Sequence, residues 1–135
     1  MKRLFFLSFI IFNSSICFSQ TDNGDFNKGE QLLEQEKFKE AKAIFSSIIA
    51  KDPQNKEALN KRGEAKNMLE DFYGAIGDYN DALEIDSNYV EALNNRGVAK
   101  YNLGDYYGAL TDYEKAITKN TEYAEAYANR GLAYY

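Results

Sequence analysis

The chain has 135 residues, no His, and 16 Lys and Arg against 21 Asp and Glu, for a formal net charge of −5. A hydrophobic share of 44% and a charged share of 27% are ordinary for a soluble domain and argue against general disorder. The acidic excess argues against nucleic acid as a partner, because phosphates require clustered Lys and Arg, and anionic membrane surfaces would repel the chain.

The first 19 residues have the pattern of a secretory signal. Two basic residues precede an apolar run from Leu4 to Phe12, and small residues at Cys17 and Ser19 offer a cleavage site. The run is shorter than the roughly 20 apolar residues that cross a bilayer. We therefore predict a signal peptide at 1–19, a linker at 20–21 and export to the periplasm or the medium. A retained membrane anchor and a lipid-modified Cys17 are alternatives.

From residue 22 onward the sequence repeats with a period of 34. Gly recurs at Gly29, Gly63, Gly97 and Gly131, and an aromatic residue recurs at Phe45, Tyr79 and Tyr113. The units are 22–55, 56–89 and 90–123, with a partial fourth unit at 124–135. A fixed period of this length predicts a stack of copies of one structural unit.

Each unit has the pattern of a helical hairpin. In the third unit, apolar and small residues recur at helical spacing on both sides of a turn at Gly104-Asp105, where Asp105 is a plausible N-cap. We expect Gly97 and Ala109 to lie on facing stripes, Tyr113 to fill the space between the helices and Ala116 to pack against the next unit.

These residues resemble the tetratricopeptide repeat family, whose unit is a 34-residue helix–turn–helix. The matching structural positions are Gly29, Ala41, Phe45, Gly63, Ala75, Tyr79, Ala82, Gly97, Ala109, Tyr113, Ala116 and Gly131. The resemblance implies an all-α fold, a right-handed superhelix of three hairpins with a seventh helix at the C-terminal end.

The resemblance also implies a concave groove lined by the first helix of each hairpin. The expected partner-binding positions are Glu57, Asn60, Glu64, Asn67, Glu91, Asn94, Val98, Tyr101, Asn102 and Ala128. Amides pair with the backbone of an extended peptide, and Glu side chains favour Lys or Arg, so a protein or peptide partner of basic character is expected. The alternative to a binding site is that these positions hold ordinary exposed polar residues that only keep the surface soluble.

One binding mode of the family is not expected here. Some members clamp the C-terminal carboxylates of chaperones with Lys, Asn and Arg, and the matching places hold Phe26, Glu30, Lys61, Glu91 and Asn95. Glu30 and Glu91 would repel a carboxylate. A chaperone-tail adaptor is therefore not predicted.

An Arg recurs before the glycine in the later units, at Arg62, Arg96 and Arg130. It could grip an anionic partner, or it could pair within its hairpin with the Asp at position 78 or 112. The first unit lacks both the Arg and the Asp, which favours the ion pair, because a guanidinium between helices requires a carboxylate.

The site chemistry of an enzyme is missing. Cleavage after Ser19 would leave neither Cys nor His, so we expect no catalytic residue, no metal site and no cofactor. The function predicted is a non-catalytic scaffold or adaptor outside the cytoplasm. Exposed tyrosines such as Tyr73 and Tyr107 keep open a module that binds cell-wall material or glycans.

The last segment, 124–135, is a first helix without its second. It either caps the third hairpin or begins a further repeat, in which case the chain is an N-terminal fragment of a longer array. The second case predicts exposed Leu132 and Tyr134 and self-association through this helix.

Overall fold

The computed structural model describes residues 14–134, with side chains from residue 23 onward, and this part of the chain is helical. The seven helices are α1 (Ser14–Glu34), α2 (Phe38–Lys51), α3 (Lys56–Met68), α4 (Phe72–Ile85), α5 (Val90–Asn102), α6 (Tyr106–Lys119) and α7 (Ala124–Ala133). Residues 14–134 include no strand, and the prediction of three hairpins with a seventh helix is confirmed.

The N-terminal predictions fall mostly outside the described residues. Positions 1–13 of the expected signal peptide are among those not described, and the expected linker at 20–21 lies within α1. Residues 14–28 contain no Pro, and α1 continues through Gly24. None of the described helices combines the length and the apolar character that crossing a bilayer requires.

The helices pair in sequence, and the first helices form the inner layer. Each helix contacts the next along the chain, and α1, α3, α5 and α7 also contact one another in succession. Within residues 14–134 the second helices α2, α4 and α6 make no such contacts with each other. The solenoid therefore curves with its first helices on the inside.

Each hairpin turn contains one residue with left-handed backbone, at Glu36, Glu70 and Gly104 (φ 58°, 63° and 85°). The next backbone N–H donates to the carbonyl oxygen five residues earlier at 2.8–2.9 Å, as from Asp105 to Lys100. This is the Schellman pattern, which satisfies the free carbonyl groups of a helix end. The turns are thus fixed locally, before any ligand is considered.

Contact between the two helices of a hairpin depends on a glycine against an aromatic ring. A Cβ built on Gly29, Gly63 or Gly97 would lie 2.5–2.6 Å from the ring sixteen residues later, that of Phe45, Tyr79 or Tyr113. The three nearest heavy atoms at Gly97 all belong to Tyr113, so the ring, and not Ala109, is what the glycine accommodates.

The alanines of the repeat are the second packing device. Ala41, Ala75, Ala82, Ala109 and Ala116 are fully buried. Ala116 packs with Leu93 and with Ala126 of α7, which confirms its expected role between hairpins. Gly131 differs from the other repeat glycines, since among the described residues no atom beyond its own helix backbone lies within 4 Å of a Cβ built there.

Candidate functional site

The predicted groove residues lie on the inner helices, but not all of them are accessible. Asn60 and Asn94 are only 1% and 0% exposed. Glu64, Asn67 and Val98 are half-buried. The exposed members are Glu57, Glu91, Tyr101, Asn102 and Ala128. The inner face therefore has a buried amide layer beneath a more exposed acidic layer.

The buried layer is a series of side-chain amide pairs, here called the amide ladder. The Nδ2 group of Asn95 donates to Oδ1 of Asn60 at 3.1 Å, and that of Asn129 donates to Oδ1 of Asn94 at 3.0 Å. A third pair, which is exposed, joins Asn102 to Asn67 at 3.3 Å. Each pair spans 35 residues and links one first helix to the next.

The ladder leaves polar groups on its outer members. Asn95 and Asn129 are half-buried, and each uses one N–H in the ladder, so each retains an oxygen acceptor and a second N–H. Asn94 differs, because its Nδ2 is buried and has no hydrogen-bond partner among the described residues. Sequence reasoning missed Asn129, although the recurrence of Asn95-Arg96-Gly97 at 129–131 was its signal.

The acidic layer surrounds a hollow of about 300 Å³ in the middle of the inner face, here called the acidic hollow. Its lining residues are Asn60, Lys61, Glu64, Glu91, Asn95, Tyr123 and Glu125. The one lysine in this lining lies 3.3 Å from Glu64 and 3.8 Å from Glu30, so its charge is already compensated.

Two of the carboxylates in the acidic hollow are held by tyrosines. The Tyr89 hydroxyl donates to Glu91 at 3.3 Å, and the Tyr123 hydroxyl donates to Glu125 at 3.0 Å. Burial, together with the adjacent carboxylate, raises the pKa of both tyrosines, which keeps both hydroxyls protonated as donors. Among the described residues no Lys or Arg forms an ion pair with Glu91 or Glu125.

Arg62 and Arg96 bind carboxylates of their own hairpins, and each also donates to a side-chain oxygen of the preceding hairpin, Oγ of Ser46 or Oδ1 of Asn80. Arg96 binds Asp112 through Nε at 2.9 Å and Nη2 at 2.7 Å, and Arg62 binds Asp78 in the same way. The structural ion pair is confirmed. Sequence reasoning missed the second cation at each carboxylate, since Lys100 lies 2.7 Å from Asp112 and Lys66 lies 2.9 Å from Asp78.

A second hollow, of about 550 Å³, lies at the C-terminal end and is here called the tyrosine hollow. Its lining residues are Tyr101, Tyr106, Tyr107, Leu110, Leu132, Ala133 and Tyr134. The rings of Tyr101 and Tyr106 meet edge to face at 5.1 Å, and Tyr107 is 88% exposed. Tyr101, predicted for the groove, thus belongs to this hollow and not to the acidic one.

Comparison with known proteins matches the repeated sequence and the helical fold. The family model described as Tetratricopeptide repeat matches residues 90–123, and one described as TPR repeat matches residues 68–104. Residues 68–123 therefore match models of the tetratricopeptide repeat. A comparison with curated proteins gives no match.

Solved TPR domains share the whole architecture. The first TPR of Spaghetti (RPAP3) bound to the HSP90 peptide SRMEEVD is 27% identical, with a TM-score of 0.80 over 86% of this chain and 92% of that one. The first TPR domain of human RPAP3 is 26% identical, with a TM-score of 0.81 over 84% and 89%. The TPR2B domain of yeast Sti1 in its pHsp70 complex is 23% identical, with a TM-score of 0.79 over 85% and 97%. The described chain is therefore an all-α TPR solenoid.

The clamp positions of this TPR solenoid are not arranged for an anion. Lys61 is paired with Glu30 and Glu64, and Asn95 donates to Asn60. The remaining two places hold Phe26, which packs edge to face on Phe45 at 5.4 Å, and Glu91. Within the described residues no group of three or more His, Cys, Asp and Glu side chains is placed to hold a metal ion.

Proposed function

We propose that this protein is a non-catalytic interaction scaffold that binds an extended, basic segment of a partner protein on its inner face. The acidic hollow is the observation that carries the proposal. Glu91 and Glu125 accept hydrogen bonds from tyrosine hydroxyls, and no Lys or Arg of the described residues forms an ion pair with them. A Lys or Arg side chain from a ligand would supply the missing positive charge. The solved relatives support the general mode, since the first TPR of Spaghetti is bound to an HSP90 peptide.

The amide ladder supports a peptide in extended form. Asn95 and Asn129 each present one acceptor and one donor, which is what a peptide group requires. Their spacing follows the repeat, so successive hairpins offer the same contact to successive stretches of backbone. The ligand proposed here is basic. The peptide SRMEEVD bound by the Spaghetti domain is acidic instead, since it contains two adjacent Glu and a terminal Asp.

The proposal is tested with two blocked decapeptides of the same length, one alternating Lys with Ala and the other alternating Glu with Ala. We expect the full chain to bind the Lys peptide, with affinity that falls as salt increases. The double variant Glu91→Gln and Glu125→Gln should weaken binding about tenfold, by the size of a lost charge-assisted hydrogen bond. The matched control Glu84→Gln and Glu114→Gln, also exposed but on the second helices α4 and α6, should not.

Two results would reject this function. One is equal binding of the Lys and Glu peptides. The other is an equal loss in the test and control variants. Isothermal titration calorimetry at low and high salt measures both the affinity and its salt dependence.

We also propose that the scaffold acts outside the cytoplasm. The support is the basic, apolar and small-residue pattern of residues 1–19, which is typical of a cleaved signal. Intact-mass measurement of the protein recovered from cell fractions tests this. A chain beginning at Gln20 in the periplasm or medium is expected, and a full-length chain in the cytoplasm would contradict it.

The tyrosine hollow favours a second candidate function, the binding of cell-wall material or glycans. Exposed rings such as Tyr107 and Tyr134 offer flat surfaces on which sugar rings stack. Binding of purified wall material that is lost in Tyr107→Ala would support this candidate. Unchanged binding in that variant would exclude the tyrosine hollow as the site.

A further inference from the structure

The inner helices carry a carboxylate at one position that recurs in the repeat. Its members are Glu57, Glu91 and Glu125. The first member has a cation beside it, since Lys56, which also binds Asp86, lies 4.0 Å from Glu57. In the next two repeats Val90 and Ala124 take the place of that lysine. The repeat has therefore lost the neighbouring cation at the second and third carboxylates.

The residue two positions before each carboxylate changes together with the lysine. In the first case it is Asn55, whose side chain caps α3 by accepting from its backbone at 2.9 Å. In the next two it is Tyr89 or Tyr123, whose hydroxyl donates to Glu91 or Glu125. A hydroxyl orients a carboxylate and leaves its negative charge in place. Glu91 and Glu125 are thus two oriented anions of the same kind in successive repeats.

The two anions are separated by about one helix spacing. Glu91 and Glu125 hold the same position on α5 and α7, which contact each other, and both line the acidic hollow. The axes of packed helices lie about 8–10 Å apart, so equivalent side chains on these two helices are separated by a similar distance. A ligand that pairs with both anions must present two cations at about this separation on one of its faces.

Regular backbones differ in whether they can meet this requirement. A β-strand repeats its face every second residue, at about 6.6–6.8 Å, which is too short. An α-helix reaches about 10.5 Å over seven residues, but it satisfies its own backbone groups and would leave the free amide groups of Asn95 in the acidic hollow without a partner. A polyproline II helix repeats its face every third residue, at about 9.3 Å, and its backbone has no internal hydrogen bonds.

The polyproline II backbone therefore matches both the carboxylate spacing and the free amides. We infer that the ligand of the inner face is a polyproline II segment with Lys or Arg at two positions three residues apart, one bound by Glu91 and the other by Glu125. This inference rests on the proposed function and adds the conformation and the spacing that the ligand must have. The N–H and carbonyl groups between the two basic residues face Asn95.

The test uses three blocked oligoproline undecapeptides, in each of which two Lys replace Pro. The two Lys are separated by one, two or three Pro, so composition and charge are identical. Two intervening Pro place both Lys on one face, whereas one or three turn the second Lys away by about a third of a turn. We expect the full chain to bind the peptide with two intervening Pro at least about tenfold more tightly, because each of the others forms only one of the two charge-assisted hydrogen bonds.

The receptor variant Glu125→Gln leaves one carboxylate, so the three peptides should then bind with about equal affinity. Glu114→Gln, at an exposed position of α6, is the control and should retain the preference. A preference among peptides of identical charge is a readout that a change in stability alone would not move. Isothermal titration calorimetry gives the dissociation constants. Circular dichroism checks that each variant is folded and that each peptide is in the polyproline II conformation.

Three results would overturn the inference. Equal affinity of the unaltered chain for the three peptides would reject the spacing and leave the binding of basic segments standing. A preference that persists in Glu125→Gln would show that this carboxylate does not set the spacing. The third result is no binding of any oligoproline peptide up to about 1 mM. If the alternating Lys and Ala peptide still binds, that result rejects only the polyproline II conformation; if it also fails, the proposed function is rejected as well.

Discussion

Replacement of Gly97 by Ala tests the packing rule on which every hairpin depends. The added Cβ would lie 2.5 Å from Cε1 of Tyr113, far inside van der Waals contact. The ring is 2% exposed and cannot move outward without opening the hairpin. Overpacking of this kind costs about 1–3 kcal/mol, whereas Ala gains about 0.5–1 kcal/mol over Gly in a helix. The cost of overpacking exceeds the gain in helix propensity, so we expect the free energy of unfolding to fall by about 1–2 kcal/mol.

Gly77→Ala is the matched control for that substitution. Gly77 lies inside α4, is exposed, and has no atom within 4 Å of a built Cβ, so only the helix gain of about 0.5–1 kcal/mol remains. The two Gly→Ala variants should therefore shift stability in opposite directions. Urea denaturation followed by circular dichroism measures both. Stabilisation by Gly97→Ala would refute the reasoning. If the Tyr113 ring causes the loss, the double variant Gly97→Ala with Tyr113→Leu should recover part of the lost stability.

Three further predictions concern charge, capping and pH. Asp112→Ala should lower the free energy of unfolding by about 3 kcal/mol, because it leaves the largely buried guanidinium of Arg96 without its carboxylate. Glu114→Ala, at an exposed position of the same helix, should lower it by less than about 0.5 kcal/mol. Urea denaturation measures both, and equal effects would contradict a structural ion pair. Lys37→Asp should stabilise α2 by about 1 kcal/mol. Lys37 is the N-cap residue of α2 and makes no side-chain cap, whereas Asp105, the N-cap residue of α6, accepts from the Gly108 N–H at 2.9 Å. An unchanged melting temperature would contradict this prediction. Burial raises the pKa of Tyr79, so the folded chain keeps a proton that the unfolded chain loses near pH 10, and stability should fall as pH rises above that value. Tyr79→Phe should reduce this fall, measured as urea midpoints at about pH 8 and about pH 11, and an identical fall in both proteins would contradict the assignment.

The fold could be predicted from the sequence because its determinants recur in fixed register. The glycine at position 97 and the ring at 113 are separated by the same sixteen residues as Gly63 and Tyr79, so one periodic reading finds both members of each contact. The ion pair of Arg96 with Asp112 was predictable for the same reason, since both partners are absent together from the first unit. What the register did not reveal was the physical partner of the glycine, because Ala109 and Tyr113 both lie on the facing stripe of α6.

The inner face was less predictable, because exposure depends on contacts between repeats. Register assigns Asn60 and Glu64 equally to the groove. Asn60, however, is buried against the next hairpin, where its Oδ1 accepts a hydrogen bond from Asn95. The partner lies 35 residues away, one more than the period, and a search for equal spacings does not find it. Tyr101 is exposed on α5, and its ring also meets Tyr106 edge to face and lines the tyrosine hollow, a contact that register alone does not indicate.

The same amide ladder links stability to recognition. The buried Nδ2 of Asn94 has no partner, which costs about 1–3 kcal/mol relative to a satisfied amide, whereas its Oδ1 is bonded to Asn129. A repeat array tolerates such a cost at one interface because neighbouring interfaces contribute separately. The interface between α5 and α7 is therefore the weaker of the two that contain a buried amide pair. Binding at Glu125 would order the helix that this interface holds, so a ligand in the acidic hollow should protect the amide protons of α7 from hydrogen exchange more than those of α3.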